Sequence, residues 1–167
     1  MPPQAFIRSA SPRDLAEISA LLGLCWHATY DSIHGAARVA AITADWHSPA
    51  ALKTQLDMPG SEFIIADTGE KLTGMAYARL DGKTIELRQI YILPEAQGAG
   101  LGTAMLQELI DSFPDADRMR LDVDAANEAA IGFYIAGGFA VTGRNENCGM
   151  AGSGIPALIM EMPLADI

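Results

Sequence analysis

Apolar residues along the chain follow two periods, and each period predicts a different kind of element. Apolar residues three or four positions apart, short stretches of small residues and helix-start signals predict helices at about 12–29, 35–42, 49–57, 101–113 and 127–136. Segments that alternate or are rich in β-branched residues predict strands at 6–8, 62–67, 72–80, 84–93, 118–124, 139–142 and 157–163. Helices and strands mixed in this way indicate an α/β fold.

Turn residues indicate how these strands pair. A loop at 68–71 and the dipeptide Asp81-Gly82 predict two hairpins, so the strands between 62 and 93 form an antiparallel meander. The helix at 101–113 is a crossover, and its two flanking strands are therefore predicted to be parallel. The glycine-rich connection at 143–154 has a length typical of a functional or mobile loop. The chain length predicts one domain over residues 1–167.

A glycine-rich turn, Gln97-Gly98-Ala99-Gly100-Leu101-Gly102, joins the strand at 84–93 to the helix at 101–113. Backbone N–H groups at such a helix start, with the positive end of the helix dipole, favour an anion and most often a phosphate. A Walker loop is excluded because no lysine follows Lys83. A Rossmann fingerprint matches only in part, since position 103 is threonine where that pattern has its third glycine.

The pattern that fits is Gln-x-x-Gly-x-Gly at Gln97, Gly100 and Gly102, followed downstream by Asn127, Tyr134 and Gly138-Phe139. This resembles the GNAT superfamily of acetyl-CoA-dependent N-acetyltransferases. The resemblance is nearest to bacterial polyamine acetyltransferases and to ribosomal-protein alanine acetyltransferases. It implies a mixed, mostly antiparallel sheet with a central, splayed parallel strand pair and helices on both faces. It also implies that the whole chain is one acyl-CoA N-acyltransferase domain.

The resemblance implies acetyl-CoA as co-substrate and a set of residues that bind it. The backbone of the turn would hold the pyrophosphate, and the end of the preceding strand would contact the pantetheine arm. Asn127 would contact the same arm, although it also fits a plain helix N-cap. The implied cofactor-binding residues are Ile90, Tyr91, Ile92, Gln97, Gly98, Ala99, Gly100, Leu101, Gly102, Thr103 and Asn127.

The same resemblance implies the catalytic groups. Tyr134 matches the family tyrosine that protonates the departing thiolate, and a phenol with an ordinary pKa of ~10 suits a thiol of ~8.5. A base must also take a proton from the substrate ammonium. Glu86 matches the base of histone-type members and Asp122 that of the ribosomal-protein alanine acetyltransferases. Glu86, Asp122 and water stay open as alternatives.

An aromatic and polar group lies at the predicted end of the first helix and in the loop after it. Trp26, His27, Tyr30 and Asp31 fit a wall of the acceptor pocket, where aromatic faces hold an ammonium by cation–π contact. Aromatic packing beside a polar loop is the alternative. The acceptor is expected to be a small-molecule amine or a peptide N-terminus.

Composition narrows the partners. The chain has 21 acidic and 11 basic residues and a net charge of −10, which argues against nucleic acid. No apolar run reaches the ~20 residues of a membrane span and no secretory pattern begins the chain, so we expect a cytoplasmic protein without membrane contact. The three histidines lack metal-site spacing, so no metal is expected. Cys25 and Cys148 are expected to be free thiols, and a homodimer stays open.

Two other classes of function remain as alternatives. A sensor or interaction domain that binds acyl-CoA without catalysis would keep the glycine turn but would acetylate no amine. A nucleotide-dependent phosphotransferase would need a lysine or metal-binding carboxylates near that turn.

Overall fold

The computed structural model describes residues 4–148 and 153–164, and within these residues it has seven strands and five α-helices. In chain order these are β1 Phe6–Ser9, α1 Leu15–His34, α2 Ala36–Trp46, α3 Pro49–Leu56, β2 Ser61–Asp67, β3 Leu72–Asp81, β4 Thr84–Ile92, α4 Leu101–Ser112, β5 Arg118–Asp124, α5 Glu128–Ala136, β6 Ala140–Asn145 and β7 Ala157–Pro163. Single 3₁₀ turns at Pro12–Asp14 and Pro94–Ala96 precede α1 and the glycine turn.

The strands form one sheet in the order β1-β2-β3-β4-β5-β7-β6. Strands β4 and β5 are parallel, as the helical crossover predicts, and β5 with β7, β6 with β7 and β1 with β2 are antiparallel. This confirms the predicted α/β fold class, a mostly antiparallel mixed sheet with one parallel pair.

The chain divides into two compact units, and β3, β4 and α4 contribute residues to both. The first unit contains the described residues up to Tyr77 together with Gln89–Leu109. Its apolar core joins buried side chains of α1 to those of α3, β2 and β3, among them Ile18, Leu22 and Ile65, which are fully buried. The inward stripe predicted for the first helix, including Cys25, is therefore confirmed.

The second unit contains Ala78–Arg88 and the described residues from Ile110 onward. In β5 the side chains of Met119, Leu121 and Val123 are buried, as their alternation predicts. Asp124, the last residue of β5, is also buried. Its Oδ1 accepts a hydrogen bond from the N–H of Ala126 at 2.9 Å, which fixes the turn from β5 into α5.

Four predicted boundaries also need correction. Helix α1 continues to His34 rather than ending near Thr29, and it stops where Gly35 takes a positive φ of 87°. Helix α2 begins one residue later than predicted and runs on to Trp46, where the N–H of His47 still bonds to a carbonyl of the helix. The hairpin loop between β3 and β4 consists of Gly82 and Lys83, and Asp81 belongs to the strand.

Strand β6 was predicted to end at Thr142, but it continues to Asn145 through a register shift between Val141 and Gly143. The predicted loop at 143–154 therefore begins at about residue 146, and residues 149–152 lie outside the described part of the chain. Among the residues described, no helix combines the length and the apolar character that crossing a membrane requires.

Candidate functional site

The glycine turn follows the end of β4 and leads into α4, and the turn itself lies within the first unit. Gly98 and Gly100 have φ values of 84° and 80°, in the left-handed region where a side chain is strained. Both glycines are exposed, and a Cβ at either position would meet no atom within 4 Å. The glycines are therefore needed for the backbone conformation, and they leave the space above the turn open.

Helix α4 starts at this turn, and its first intrahelical bond runs from the N–H of Ala104 to the carbonyl of Gly100 at 3.0 Å. The N–H groups before it, on Leu101, Gly102 and Thr103, lie in the first turn, which has no acceptors inside a helix. They also carry the positive end of the helix dipole. The structure thus brings the predicted residues of the turn together at the start of a helix, the kind of position that favours an anion.

Gln97 has a local structural role. Its Nε2 donates to the carbonyl oxygen of Ile92, the last residue of β4, at 3.0 Å. The position of Gln97 in the motif therefore places a side chain that closes the strand end, just before the chain enters the turn.

The predicted pantetheine-contacting segment, Ile90–Ile92, is the half-buried end of β4. The parallel register of β4 with β5 covers the four pairs from Thr84↔Arg118 to Leu87↔Leu121, and β4 continues to Ile92 beyond it. Gly74 on β3 packs against this end, because a Cβ there would lie 3.2 Å from the carbonyl oxygen of Tyr91. Sequence reasoning missed Gly74, whose position inside a strand was the available signal.

An aromatic cluster surrounds Trp26 on α1. Its ring centroid lies 4.5 Å from that of Tyr30, 5.8 Å from Trp46 and 6.2 Å from Tyr91. Trp26 and Tyr30 are both buried, together with Val39. Tyr91 therefore belongs both to this cluster and to the end of β4.

The four predicted pocket residues do not share one surface. Trp26 and Tyr30 point into the aromatic cluster, whereas His27 and Asp31 are each 40% exposed and lie beside one another on α1. Nδ1 of His27 is 2.6 Å from Oδ1 of Asp31. The structure brings the two pairs onto different sides of one helix.

His47, at the end of α2, is a buried histidine next to the aromatic cluster, with its ring centroid 5.4 Å from that of Trp26. Burial lowers the pKa of His47 to about 4. Its Nδ1 and the Nε1 of Trp26 have no hydrogen-bond partner among the described residues. In residues 4–148 and 153–164, histidines, cysteines and carboxylates form no group of three or more that would hold a metal ion.

Glu86 and Asp122, the two candidate bases, meet in the second unit through one arginine. Glu86 and Arg120 are direct partners in the parallel register, and Oε2 of Glu86 lies 3.2 Å from Nη1 of Arg120. Oδ1 of Asp122 lies 3.6 Å from the same Nη1. Arg120 was not predicted as a site residue, since only the register between the two strands reveals this partner.

Asp122 is only partly satisfied. Its Oδ2 accepts a hydrogen bond from Nδ2 of Asn145 on β6 at 2.8 Å. Its Oδ1 is buried and accepts no hydrogen bond from the described residues. Asn145 was not predicted as a site residue, because it comes from a strand distant in sequence.

A cleft of about 190 Å³ opens around Glu86. We call it the charged cleft, and it is lined by Arg79, Asp81, Glu86, Arg88 and Arg120. All five belong to the second unit. Cys148 lies within the influence of the same charges, since its pKa is raised to about 11 by burial and then by Asp122 and Asp124, while Arg88 acts in the opposite direction.

Tyr134 lies on α5 in the second unit and is buried, with ring-centroid distances of 5.3 Å to Phe133 and 5.5 Å to Phe139. Asn127 caps the same helix, because its Oδ1 accepts from the N–H of Ala130 at 3.2 Å. The plain N-cap interpretation of Asn127 is therefore confirmed. Gly138 ends the segment with a φ of 106°, as the predicted helix stop requires.

Comparison with known proteins gives a family match over most of the chain. The profile of the acetyltransferase (GNAT) family matches residues 26–139. The N-alpha-acetyltransferase RimI of Mycobacterium tuberculosis is 34% identical over 95 residues, which are 54% of this chain and 60% of that protein. The peptidyl-lysine N-acetyltransferase YjaB of Escherichia coli is 35% identical over 57 residues, 34% of this chain and 37% of that protein. The matched regions thus span less than two thirds of either relative.

Solved structures share the fold along nearly the whole chain. The PaiA N-acetyltransferase of Thermoplasma acidophilum, solved in complex with coenzyme A, has a TM-score of 0.85 at 22% identity and covers 96% of this chain and 99% of its own. The ribosomal-protein-S18-alanine N-acetyltransferase of Escherichia coli has a TM-score of 0.73 at 22% identity, with coverages of 98% and 96%. At these identities the likeness establishes the fold.

Proposed function

This chain belongs to the acetyltransferase (GNAT) family, and we propose that it transfers the acetyl group of acetyl-CoA directly to a primary amine bound at the same time. The observation that carries the proposal is the exposed turn at the start of α4, where Gly98 and Gly100 hold the left-handed backbone that an anion-binding helix start requires. The family's acyl donor, acetyl-CoA, has a pyrophosphate that suits such a turn.

We assign the binding of the CoA pyrophosphate to the backbone N–H groups from Gly98 to Thr103. The end of β4, Ile90–Ile92, would bind the pantetheine arm through its backbone, with Asn127 as a further contact. Support for this comes from the parallel register, which stops at Leu87 although β4 continues for five residues. Backbone groups beyond the register are available to an extended ligand.

In the proposed reaction the neutral amine nitrogen attacks the thioester carbonyl carbon, the carbon–sulfur bond breaks, and coenzyme A leaves as a thiolate. Tyr134 gives its phenol proton to that thiolate. The buried position of the Tyr134 ring against Phe133 and Phe139 supports a fixed orientation for the hydroxyl group.

The proton that the substrate ammonium must lose goes to Glu86, to Asp122, or to water held by one of them. Glu86 lines the charged cleft, and its ionic partner among the described residues is Arg120. Asp122 keeps one buried oxygen without a hydrogen bond among the described residues. Both carboxylates are therefore proposed as candidate bases. Glu86 is the preferred candidate because it borders the charged cleft.

The acceptor is proposed to be a small-molecule amine or a peptide N-terminus. The relatives named above act, by their names, on N-terminal amines, on a ribosomal-protein alanine and on peptidyl-lysine. Of the predicted pocket wall, Trp26 and Tyr30 would shape the apolar side, and His27 with Asp31 would offer a polar edge.

Replacing Tyr134 with phenylalanine tests the assignment of the acid. We expect Tyr134→Phe to lower kcat about 10²- to 10⁴-fold while acetyl-CoA binds with nearly unchanged affinity, because only the proton donor is removed. Tyr77→Phe is the matched control, since Tyr77 is also a buried tyrosine that packs against a phenylalanine. An unchanged kcat for Tyr134→Phe would show that another group protonates the thiolate.

Replacing Gly100 tests the cofactor site separately. A valine at φ 80° is strained and carries its side chain into the open space above the turn, so Gly100→Val should abolish acetyl-CoA binding measured by calorimetry. Gly132→Ala on α5 is the control, because a Cβ at that glycine also meets no atom within 4 Å and its φ is not positive. Tight binding by Gly100→Val would contradict the proposed cradle.

A further inference from the structure

Five charged side chains line the charged cleft. Three of its five lining residues are arginines and two are acidic. Arg120 is satisfied, because it lies within 4 Å of carboxylate oxygens of both Glu86 and Asp122. Arg79 and Arg88 form no ion pair within 4.0 Å in residues 4–148 and 153–164.

This placement of arginines is unusual for the chain as a whole. The protein carries a net charge of −10 and has only 11 basic residues. Arg79 on β3 and Arg88 on β4 are both exposed and line the same cleft. Two unpaired guanidinium groups beside Glu86 therefore point to a negatively charged ligand that binds between them.

Guanidinium groups select oxyanions for a geometric reason. Each presents a planar set of N–H donors that matches the two oxygens of a carboxylate, and a lysine ammonium does not offer this fit. The cleft, at about 190 Å³, has the volume of roughly six water molecules at ~30 Å³ each. This space suits a carboxylate with a few carbon atoms.

We propose that the acceptor of this chain is an amine that also carries a carboxylate, which Arg79 and Arg88 bind while the amine lies beside Glu86. The substrate class is therefore an amino acid or a short peptide with a carboxylate near its reactive amine, and a polyamine is disfavoured. This inference rests on the proposed acetyl transfer for its chemistry, but the anion site itself does not.

The first test compares carboxylate acceptors with their amides, and includes spermidine as a polyamine. Acetylation of alanyl-glutamate and alanyl-glutamine amide, of alanine and alaninamide, and of spermidine is followed by thiol release from acetyl-CoA. We expect kcat/KM at least about tenfold higher for each carboxylate acceptor than for its amide. Arg79→Gln and Arg88→Gln should each raise KM for the carboxylate acceptors about 10- to 100-fold and should change kcat little.

Arg144→Gln is the matched control for these variants. Arg144 is an exposed arginine of the second unit that pairs with Glu146 and lies outside the charged cleft. This variant should keep the preference for carboxylates. Spermidine as the best acceptor, with the same kcat/KM in Arg88→Gln as in the unchanged protein, would overturn the inference.

The second test needs no acetyl transfer. Glutarate, a dicarboxylate without an amine, is titrated into the protein at low and high salt, and binding is measured by calorimetry. We expect salt-sensitive binding that disappears in the Arg79→Gln/Arg88→Gln double variant and persists in Arg144→Gln. Glutarate binding without acetylation of any amine would leave the anion site intact and refute the proposed function. Amine acetylation without glutarate binding, and without an effect of the double variant, would refute the anion site alone.

Discussion

Two clusters of arginines and carboxylates, one in each unit, use the same residue types in opposite ways. The first is Arg8 with Asp14 and Asp67, at the start of the chain. The second is Arg120 with Glu86 and Asp122, at the charged cleft. The first has its hydrogen-bonding capacity filled by its own residues, whereas the second keeps part of that capacity open.

In the first cluster every oxygen of Asp14 has a donor. Arg8 donates to Oδ1 at 3.0 Å and to Oδ2 at 2.9 Å, and the N–H and hydroxyl of Ser11 donate to Oδ2 at 2.9 Å each. The Arg8 guanidinium is the main reason why the pKa of Asp14 is well below its ordinary value. This carboxylate is committed to the fold, since it joins β1 to the start of α1.

In the second cluster the bonds are longer and fewer. The closest approaches of Arg120 to Glu86 and Asp122 are 3.2 and 3.6 Å, and Oδ1 of Asp122 has no hydrogen-bond donor among the described residues. Glu86 lines the charged cleft, whereas the acceptor that Asp122 leaves unused is buried. Saturation of hydrogen bonds therefore separates the structural carboxylate from the functional candidates better than residue type does.

The largest expected effect comes from removing charge at the open cluster. If Glu86 is the base, Glu86→Gln should lower kcat about 10²- to 10³-fold, with a change in unfolding free energy below about 1 kcal/mol. Asp122→Asn is the matched variant. The residue whose replacement causes the larger loss of kcat is the base. Steady-state thiol release and urea unfolding measure both effects. Full activity in both variants would assign the proton to water or another group.

The next effect is on stability, at the closed cluster. Asp14→Asn should lower the unfolding free energy by about 2–4 kcal/mol, because Arg8 is left without its main partner in a largely buried position. The pKa of Asp14 is lowered by folding, so its contribution is present above the unfolded pKa of ~3.9 and is lost as the pH falls through the folded value. Urea unfolding measures the difference in unfolding free energy between Asp14→Asn and the unchanged protein. This difference should be smaller at pH 3 than at pH 7. If folded Asp14→Asn lost as much kcat as Glu86→Gln, the two clusters would not differ in function.

A third test uses His47, a buried titratable group with no ionic partner in either cluster. Its folded pKa of about 4 lies below the ordinary value of 6.5, so the unfolded chain binds more protons between these values. Stability should therefore fall by about 1–2 kcal/mol between pH 7 and pH 5, at a limiting rate of about 1.4 kcal/mol per pH unit. His47→Gln should remove this slope, and Ser19 would still bond to the backbone carbonyl at position 47. If the pH dependence of stability were unchanged in His47→Gln, it would have to come from other titratable groups.

The smallest effect is expected at an exposed ion pair. Lys71 and Glu95 are 3.1 Å apart, but their side chains are 54% and 59% exposed. Lys71→Gln should change the unfolding free energy by no more than about 0.5 kcal/mol and should leave kcat unchanged. A loss near that of Asp14→Asn would mean that burial and saturation do not decide the strength of these pairs.

Much of the fold follows from local signals in the sequence. The alternation in β5 gives its buried face, and Ser48 caps α3 by accepting from the N–H of Ala51, as Ser48-Pro49 predicts. The errors lie where tertiary contacts decide. Helix α1 runs past Thr29 because Tyr30 is buried in the aromatic cluster, and β6 runs past Thr142 because β7 pairs with it through Asn145.

The candidate site was predictable where one segment contains it. The glycine turn and its helix follow from consecutive residues, and the family resemblance implies Glu86 at its spacing from that turn. The partners of the candidate bases did not follow, because Arg120 and Asn145 reach Glu86 and Asp122 through strand register and a distant strand. The role proposed for Arg79 and Arg88 likewise could not be predicted from the sequence, because it depends on the sheet that places both in one cleft.

The most direct test of the central claim is thiol release from acetyl-CoA by the unchanged protein, measured with amino acids, short peptides and polyamines and with product identification by mass spectrometry. We predict that thiol release requires an amine and equals the amount of N-acetylated product. It should be fastest with a carboxylate-bearing acceptor. Stabilisation of the protein by acetyl-CoA, with no acetylated amine from any member of the panel, would contradict it and would favour a domain that binds acyl-CoA without catalysis.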